Sequence, residues 1–275
     1  MGPFTFLGPR GVGYWHAFVF DPSLGADGRL YVGDWYGTGI FVSQDGGETF
    51  AAGAGVEFPL SYIVSIAAHP TEPLVALAVA GFADGTTDGA NGDGAPISTR
   101  GEVFRTNDGG ASWEALGSPA EGALMDLAVS PSDPEIVLVA DAANIWRSID
   151  GGDSFTLVTA AAGGSLVFSR TGDGVVLAAG ERIWRSDDDG ETWAQTDAPS
   201  AFYADVVASP GQDAFFAFGL TEFGGALAQA IGTDGALWED VADPTYPGAV
   251  FRRRARRGDA DRRRPRRRRH PDLRR

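Results

Sequence analysis

The side chains best placed for chemistry in this sequence come in a repeated octapeptide: SQDGGETF from Ser43 to Phe50, TNDGGASW from Thr106 to Trp113, SIDGGDSF from Ser148 to Phe155 and SDDDGETW from Ser186 to Trp193. Each copy sets a hydroxyl (Ser43, Thr106, Ser148, Ser186), a carboxylate two residues on (Asp45, Asp108, Asp150, Asp188), a glycine (Gly47, Gly110, Gly152, Gly190) and an aromatic ring (Phe50, Trp113, Phe155, Trp193) at fixed intervals. A hydroxyl and a carboxylate so spaced accept hydrogen bonds from the N–H groups of a tight turn, glycine supplies φ > 0, and the ring plugs the hairpin beneath. That is the chemistry of a turn, built four times. A second oxygen-rich stretch, ADGTTDGANGDGAP, places Asp84, Asp88 and Asp93 in a loop that could wrap calcium. Its spacing is not that of an EF-hand, and a solvated loop is the plain alternative. His16, His69 and His270 are too scattered to make a metal site, and the absence of cysteine excludes disulfides, thiolate zinc and a cysteine nucleophile.

The elements that position these residues follow from the spacing. The octapeptides begin at 43, 106, 148 and 186, and a period near 40 suits a four-stranded propeller blade. The long first interval is explained by an insertion from roughly Ala83 to Arg100. Aligned on the octapeptides, innermost strands read WHAFVFDP, YIVSIAAHP, LMDLAVSP and YADVVASP, each ended by a proline that cannot continue a ladder. Second strands read LYVGD, VALAVA, IVLVAD, VVLAAG and AFFAFG, and these apolar runs suit strands packed on both faces. Third strands (GIFVS, EVFRT, NIWRS, RIWRS) deliver the chain to the octapeptide, and a short outer strand follows. A worn fifth copy, IGTDGALW from Ile231 to Trp238, keeps the glycine and the tryptophan. The expectation is an all-β propeller of four-stranded antiparallel blades with five recognisable blades, at 14–54, 60–117, 122–159, 164–197 and 201–242, truncated from a longer ring or closed by residues 3–8.

The pattern of octapeptides resembles the Asp-box (BNR-repeat) β-propellers, a group that includes sialidases, sortilin-type receptors, oligoxyloglucan hydrolases and many non-catalytic repeat proteins. The resemblance covers about 240 residues. It implies that the octapeptides lie on the face opposite the active site, so that they serve stability. The loops joining second to third strands, and one blade to the next, then form the opposite rim, with Trp15, Asp34, Trp35, Tyr36, Tyr203 and Glu222 as candidate ligand-binding residues. Aromatics mixed with carboxylates suit a carbohydrate or a peptide, while rim packing and solvated acids are the bland alternative. Asp34, in YVGDWYGTGIF, sits in a context similar to that of a catalytic aspartate of oligoxyloglucan hydrolases. Those enzymes need a second carboxylate from another propeller, so Asp34 stands alone as a weak catalytic candidate. The sialidase arginine clamp is not found: Arg105, Arg147 and Arg185 each precede an octapeptide hydroxyl and mark a structural slot, leaving only Arg10, Arg100 and Arg182 for the rim.

Charge divides the chain in two. The formal net charge is −15, but 14 of the 22 arginines fall between Arg252 and Arg275 against three acids, so the rest carries 8 arginines and 34 acids, a net of −26. There is no lysine. Such an acidic body excludes nucleic acid and anionic membranes as its partners. The expected domains are a propeller at 1–250 and an unstructured Arg-rich tail at 251–275, for which a basic arm, a localisation signal and a frameshifted read-through are the readings. No secretory signal or membrane span is read, which makes the cytoplasm the default location, although many Asp-box proteins are extracellular. The functional expectation is a monomeric, non-catalytic glycan- or protein-binding module without cofactor unless calcium, with a glycoside hydrolase of the Asp-box group as the alternative.

Overall fold

The computed structural model describes residues 15–20, 29–34, 39–54, 61–83, 98–159, 163–199, 201–208, 214–221, 224–230 and 238–240. They form five four-stranded antiparallel sheets, each a meander in chain order. The first blade holds β1 (Trp15–Phe20), β2 (Leu30–Asp34), β3 (Ile40–Ser43) and β4 (Ala51–Ala52), and the second holds β5 (Ser61–Ala68), β6 (Ala76–Ala83), β7 (Ser98–Thr106) and β8 (Glu114–Gly117). The third holds β9 (Leu124–Val129), β10 (Val137–Asp141), β11 (Ile145–Ser148) and β12 (Thr156–Thr159), and the fourth β13 (Ser165–Phe168), β14 (Val176–Ala179), β15 (Ile183–Ser186) and β16 (Ala194–Gln195). The fifth holds β17 (Phe202–Ala208), β18 (Phe215–Thr221), β19 (Gly224–Ala230) and β20 (Trp238–Asp240). The expected all-β propeller of four-stranded blades is the observed architecture.

The innermost strands pack in succession, β1 on β5, β5 on β9, β9 on β13 and β13 on β17. The second strands of blades two to four are apolar on both faces because each faces two blades. In β10, Val137 and Val139 join Leu77, Val79 and Val103 of the second blade, while Leu138 and Ala140 join Leu166, Phe168 and Val176 of the fourth. Two further cores of the same kind lie between blades one and two, around Tyr31, Ile63 and Trp113, and between blades four and five, around Leu177, Tyr203 and Trp238. The blade is thus not a folding unit with its own interior; its core is shared with its neighbours.

Three details depart from the sequence reading. The fourth innermost strand, Ser165–Phe168, carries no terminal proline, and its turn is held instead by Ser169, whose hydroxyl accepts the Thr171 N–H at 3.3 Å. The insertion is shorter than Ala83 to Arg100, because Phe82 pairs with Arg100 and Ala83 with Ser98, so that β6 and β7 form a long hairpin. The octapeptide rings differ in burial: Trp113 is 4% exposed and packs edge-on to Tyr31 at 6.1 Å across blades one and two, whereas Trp193 is half-buried. Residues 3–8, the tail and most of the worn fifth octapeptide lie outside the described residues, although Trp238 is buried and its N–H donates to Asp197 at 2.9 Å.

Candidate functional site

The octapeptides fix which face is which. In the first, the Ser43 hydroxyl donates to Asp45 Oδ1 at 2.7 Å and accepts the Gly47 N–H at 2.8 Å. Asp45 in turn accepts the Thr49 N–H at 2.9 Å and the Thr49 hydroxyl at 2.5 Å. The same set recurs at Thr106/Asp108/Ser112, Ser148/Asp150/Ser154 and Ser186/Asp188/Thr192. The Thr49 hydroxyl and N–H, then the Ser43 hydroxyl, hold the Asp45 carboxyl down to about 2. Asp108, Asp150 and Asp188 are lowered too, through the Ser112, Ser148 and Thr192 hydroxyls; at Asp188 burial pushes the other way and is outweighed. The second hydroxyl, at the seventh position of all four full copies, is a functional part of the motif that the sequence reading missed, although its repetition was visible.

The octapeptide turns of blades two, three and four are each tied to the turn between the first and second strands of the same blade: the N–H of Gly109 donates to Leu74 O, that of Gly151 to Glu135 O and that of Asp189 to Gly174 O. Both turns therefore share one face. The arginines that precede the octapeptides work across blades on this face, Arg105 pairing with Asp153 at 2.7 Å and Arg147 donating through Nε to Asp189 O at 2.9 Å. Arg185 turns back to Asp187. Their repetition is structural, as the sequence implied.

The opposite face, at the inner strands, carries a concave site. β1, β5, β9 and β17 each begin with a bulge, at Trp15/Ala17, Ile63/Ser65, Leu124/Asp126 and Tyr203/Asp205. A bulge re-aims the residue that follows, here Ser65, Asp126 and Asp205 in blades two, three and five, and β13, which pairs without a bulge, places Ser165 at the matching position of blade four. They are linked in a belt: Asp126 accepts the Leu127 N–H (2.8 Å), the Leu166 N–H of the next blade (2.7 Å) and the Ser65 hydroxyl, while Ser165 donates to Asp205 Oδ1 at 2.8 Å. Burial pushes the Asp126 carboxyl up to about 6 against the pull of those donors, with the Asp205 charge adding to the rise. The belt floors a cavity of about 740 Å³ that also takes in Val64, Met125, Glu181 and Phe202. Phe202 and Met125 are 53% and 46% exposed, so an aromatic and a thioether face open space beside carboxylates.

The residues expected at the rim fare differently. Tyr203 is among the residues lining the cavity but is 1% exposed, with its hydroxyl donating to Pro199 O at 2.7 Å and its ring in the core between blades four and five, so the exposed ring at the cavity is its neighbour Phe202. Asp34 ends β2 opposite Trp15, as Asp141 ends β10 opposite Leu124. The Asp141 carboxylate accepts the Ala143 and Asn144 N–H groups, the Asn144 amide and the Trp146 indole N–H, a turn-holding role. Burial works against its charge, but the Asn144, Ala143 and Trp146 donors outweigh it and hold the carboxyl below its usual range. Trp35, Tyr36, Glu222, Asp84, Asp88 and Asp93 lie outside the described residues. Among the described residues no group of three histidines or carboxylates gathers as a metal would require. Asp126 and Asp205 went unnoticed because they read as ordinary strand interruptions. The signal was the column of small and polar residues, Ala17, Ser65, Asp126 and Asp205, that appears once the proline-ended strands are stacked.

Comparison with known proteins bears on the fold. No family model and no curated protein matches the sequence. Among solved structures, an ancestral GH74 enzyme matches with a TM-score of 0.62 at 18% identity over 89% of this chain, and the GH74 xyloglucanase from Xanthomonas campestris with 0.62 at 17% over 86%. This chain spans 35% and 39% of the length of those two. YCF48 bound to D1 peptide matches with a TM-score of 0.53 at 12% identity, over 88% of this chain and 74% of that one. YCF48 from Cyanidioschyzon merolae matches likewise with 0.53 at 13%, over 82% and 70%. At such identities the likeness is one of fold, and together with the five blades it establishes the chain as a β-propeller.

Proposed function

We propose that this chain is a non-catalytic Asp-box β-propeller that binds a protein or peptide segment in the cavity of the inner-strand face. The observation that carries the reading is the pairing of exposed Phe202 and Met125 with a built carboxylate belt at the wall of one 740 Å³ cavity. A pocket lined by exposed apolar groups with a few oriented polar ones is the usual form of a binding site. The likeness to YCF48, solved with a D1 peptide, supports a peptide over a sugar, and the octapeptide geometry supports the Asp-box assignment. Surveying immobilised peptides and glycans with the full chain and its Phe202→Ala variant tests this. Peptide ligands should be captured by the parent and lost in the variant; ligands retained equally by both would place the site elsewhere.

A second reading, a glycoside hydrolase, is favoured by one observation. Asp126, whose carboxyl burial pushes up to about 6, and exposed Asp205 line the same cavity, and a buried carboxyl raised beside a second carboxylate is an arrangement that a general acid and its partner can take. It ranks second because both Asp126 oxygens are turned to strand N–H donors rather than presented to a substrate. Hydrolysis of a β-glucan or aryl glycoside by the full chain, abolished by Asp205→Asn, would reverse the ranking.

A further inference from the structure

Among the described residues, the charged groups lining the cavity are Asp126, Glu181 and Asp205, with no arginine or histidine beside them. Asp126 is largely spoken for: its two oxygens receive strand N–H groups from blades three and four and it also accepts the Ser65 hydroxyl, so most of its acceptor capacity is used within the belt while its charge acts on the cavity. Asp205 is exposed, and the one hydrogen bond its carboxylate accepts from the described residues comes from Ser165, on Oδ1. Glu181 is exposed at the turn between β14 and β15. Beside these acids lie Phe202, Met125 and half-buried Val64.

Each class of ligand would meet this wall differently. A purely apolar segment covering Phe202 and Met125 would strip water from the carboxylates with nothing in return, an uncompensated cost. An anionic segment would meet three like charges in a cleft whose low-dielectric walls focus the field. A cationic side chain avoids both penalties, because its apolar stem can lie on the Phe202 ring while its head reaches the carboxylates. On the reading that this cavity is the binding site, we propose that its ligand is a peptide segment presenting an arginine or lysine next to an apolar residue, the cation held at Asp205 and Glu181 and the apolar neighbour on Phe202 and Met125.

The test places the decisive change in the ligand, so that it survives any folding defect of a variant. Fluorescence anisotropy with the full chain compares a capped, labelled Gly-Phe-Arg-Leu-Gly peptide with the same peptide carrying citrulline, which keeps the shape of arginine and removes its charge. The arginine peptide should bind about tenfold more tightly, as expected for a charge-assisted contact that is partly desolvated. In Asp205→Asn the two peptides should converge, and in Phe202→Ala, which leaves the charge of the protein unaltered, both should weaken in parallel. Equal binding of both peptides to the parent overturns the cationic ligand while leaving the cavity as the site. An arginine preference that persists undiminished in Asp205→Asn, with affinities unaltered in Phe202→Ala, shows attraction to the acidic body at large and overturns the assignment to this cavity. Peptides that all fail, with glycans captured in a Phe202-dependent way, overturn the peptide class itself.

Discussion

Aspartates of one sequence type do two opposite things in this protein, and the difference lies in what surrounds each carboxylate. Asp45 stands at an exposed turn among donors, from Thr49 above all, which outweigh the small loss of water opposing its charge, so its carboxyl falls from 3.8 to about 2. Asp126 also accepts two backbone N–H groups, yet it is crowded by three blades at the inner belt, and the loss of water outweighs the donors, lifting it from 3.8 to about 6. Donor count alone therefore does not decide the outcome; access to solvent does. Following carboxyl 13C shifts with pH should give midpoints near 6 for Asp126 and about 2 for Asp45. Coincident midpoints for the two would mean that the belt is open to water and that Asp126 is no more than a solvated strand residue.

At the scale of elements, the octapeptide is a clamp whose aromatic ring matters in proportion to its burial. Trp113 bridges blades one and two against Tyr31, while Trp193 keeps part of its surface in water and donates its indole N–H to Gly190 O at 3.0 Å. Trp113→Ala should cost about 3–5 kcal/mol and Trp193→Ala clearly less, by denaturant titration. Equal losses would show that the rings act through the turn and not through the interface between blades. Asp189 shows a compensated strain: it is the one non-glycine with positive φ among the described residues, at 52°, in the slot filled by Gly46, Gly109 and Gly151 elsewhere. Its carboxylate accepts the Ser130 hydroxyl of the preceding blade at 2.7 Å, which offsets the backbone cost. Blade order and strand roles were legible because repeats report the same environment several times over. The belt was not, because which inner residue faces the cavity depends on a one-residue bulge, and a bulge leaves no mark on composition. Tyr203 and Asp205 illustrate the point: two residues apart they would share a face in a regular strand, but the bulge between them leaves Tyr203 buried and Asp205 exposed at the cavity.

For the molecule as a whole, charge and pH pull stability in directions that can be separated. Residues 1–251 carry 8 arginines against 34 acids, so compaction brings like charges together at neutral pH. Asp126, whose carboxyl is raised on folding, contributes stability that is full below 3.8 and is lost as pH rises through about 6. The octapeptide aspartates have the opposite sign: lowered on folding, they contribute stability that is present above 3.8 and is lost as pH falls through about 2 for Asp45. Lowering the pH from 8 toward 5 thus relieves the ionisation of Asp126, and the approach to pH 4 relieves self-repulsion as ordinary carboxylates begin to protonate, while going lower protonates the turns that hold the blades. The melting temperature at low ionic strength should therefore peak at about pH 4 to 6 and not at neutrality. About 0.5 M NaCl should raise it at pH 8, where screened repulsion dominates, and change it little near the peak. Asp126→Asn, which cannot ionise, should lose the part of the slope centred near pH 6 while keeping the salt response. A melting temperature that rises steadily from pH 5 to 8 at low salt would mean that the acids of this propeller are held apart well enough for their repulsion to be negligible, and that Asp126 ionises at no cost to the fold.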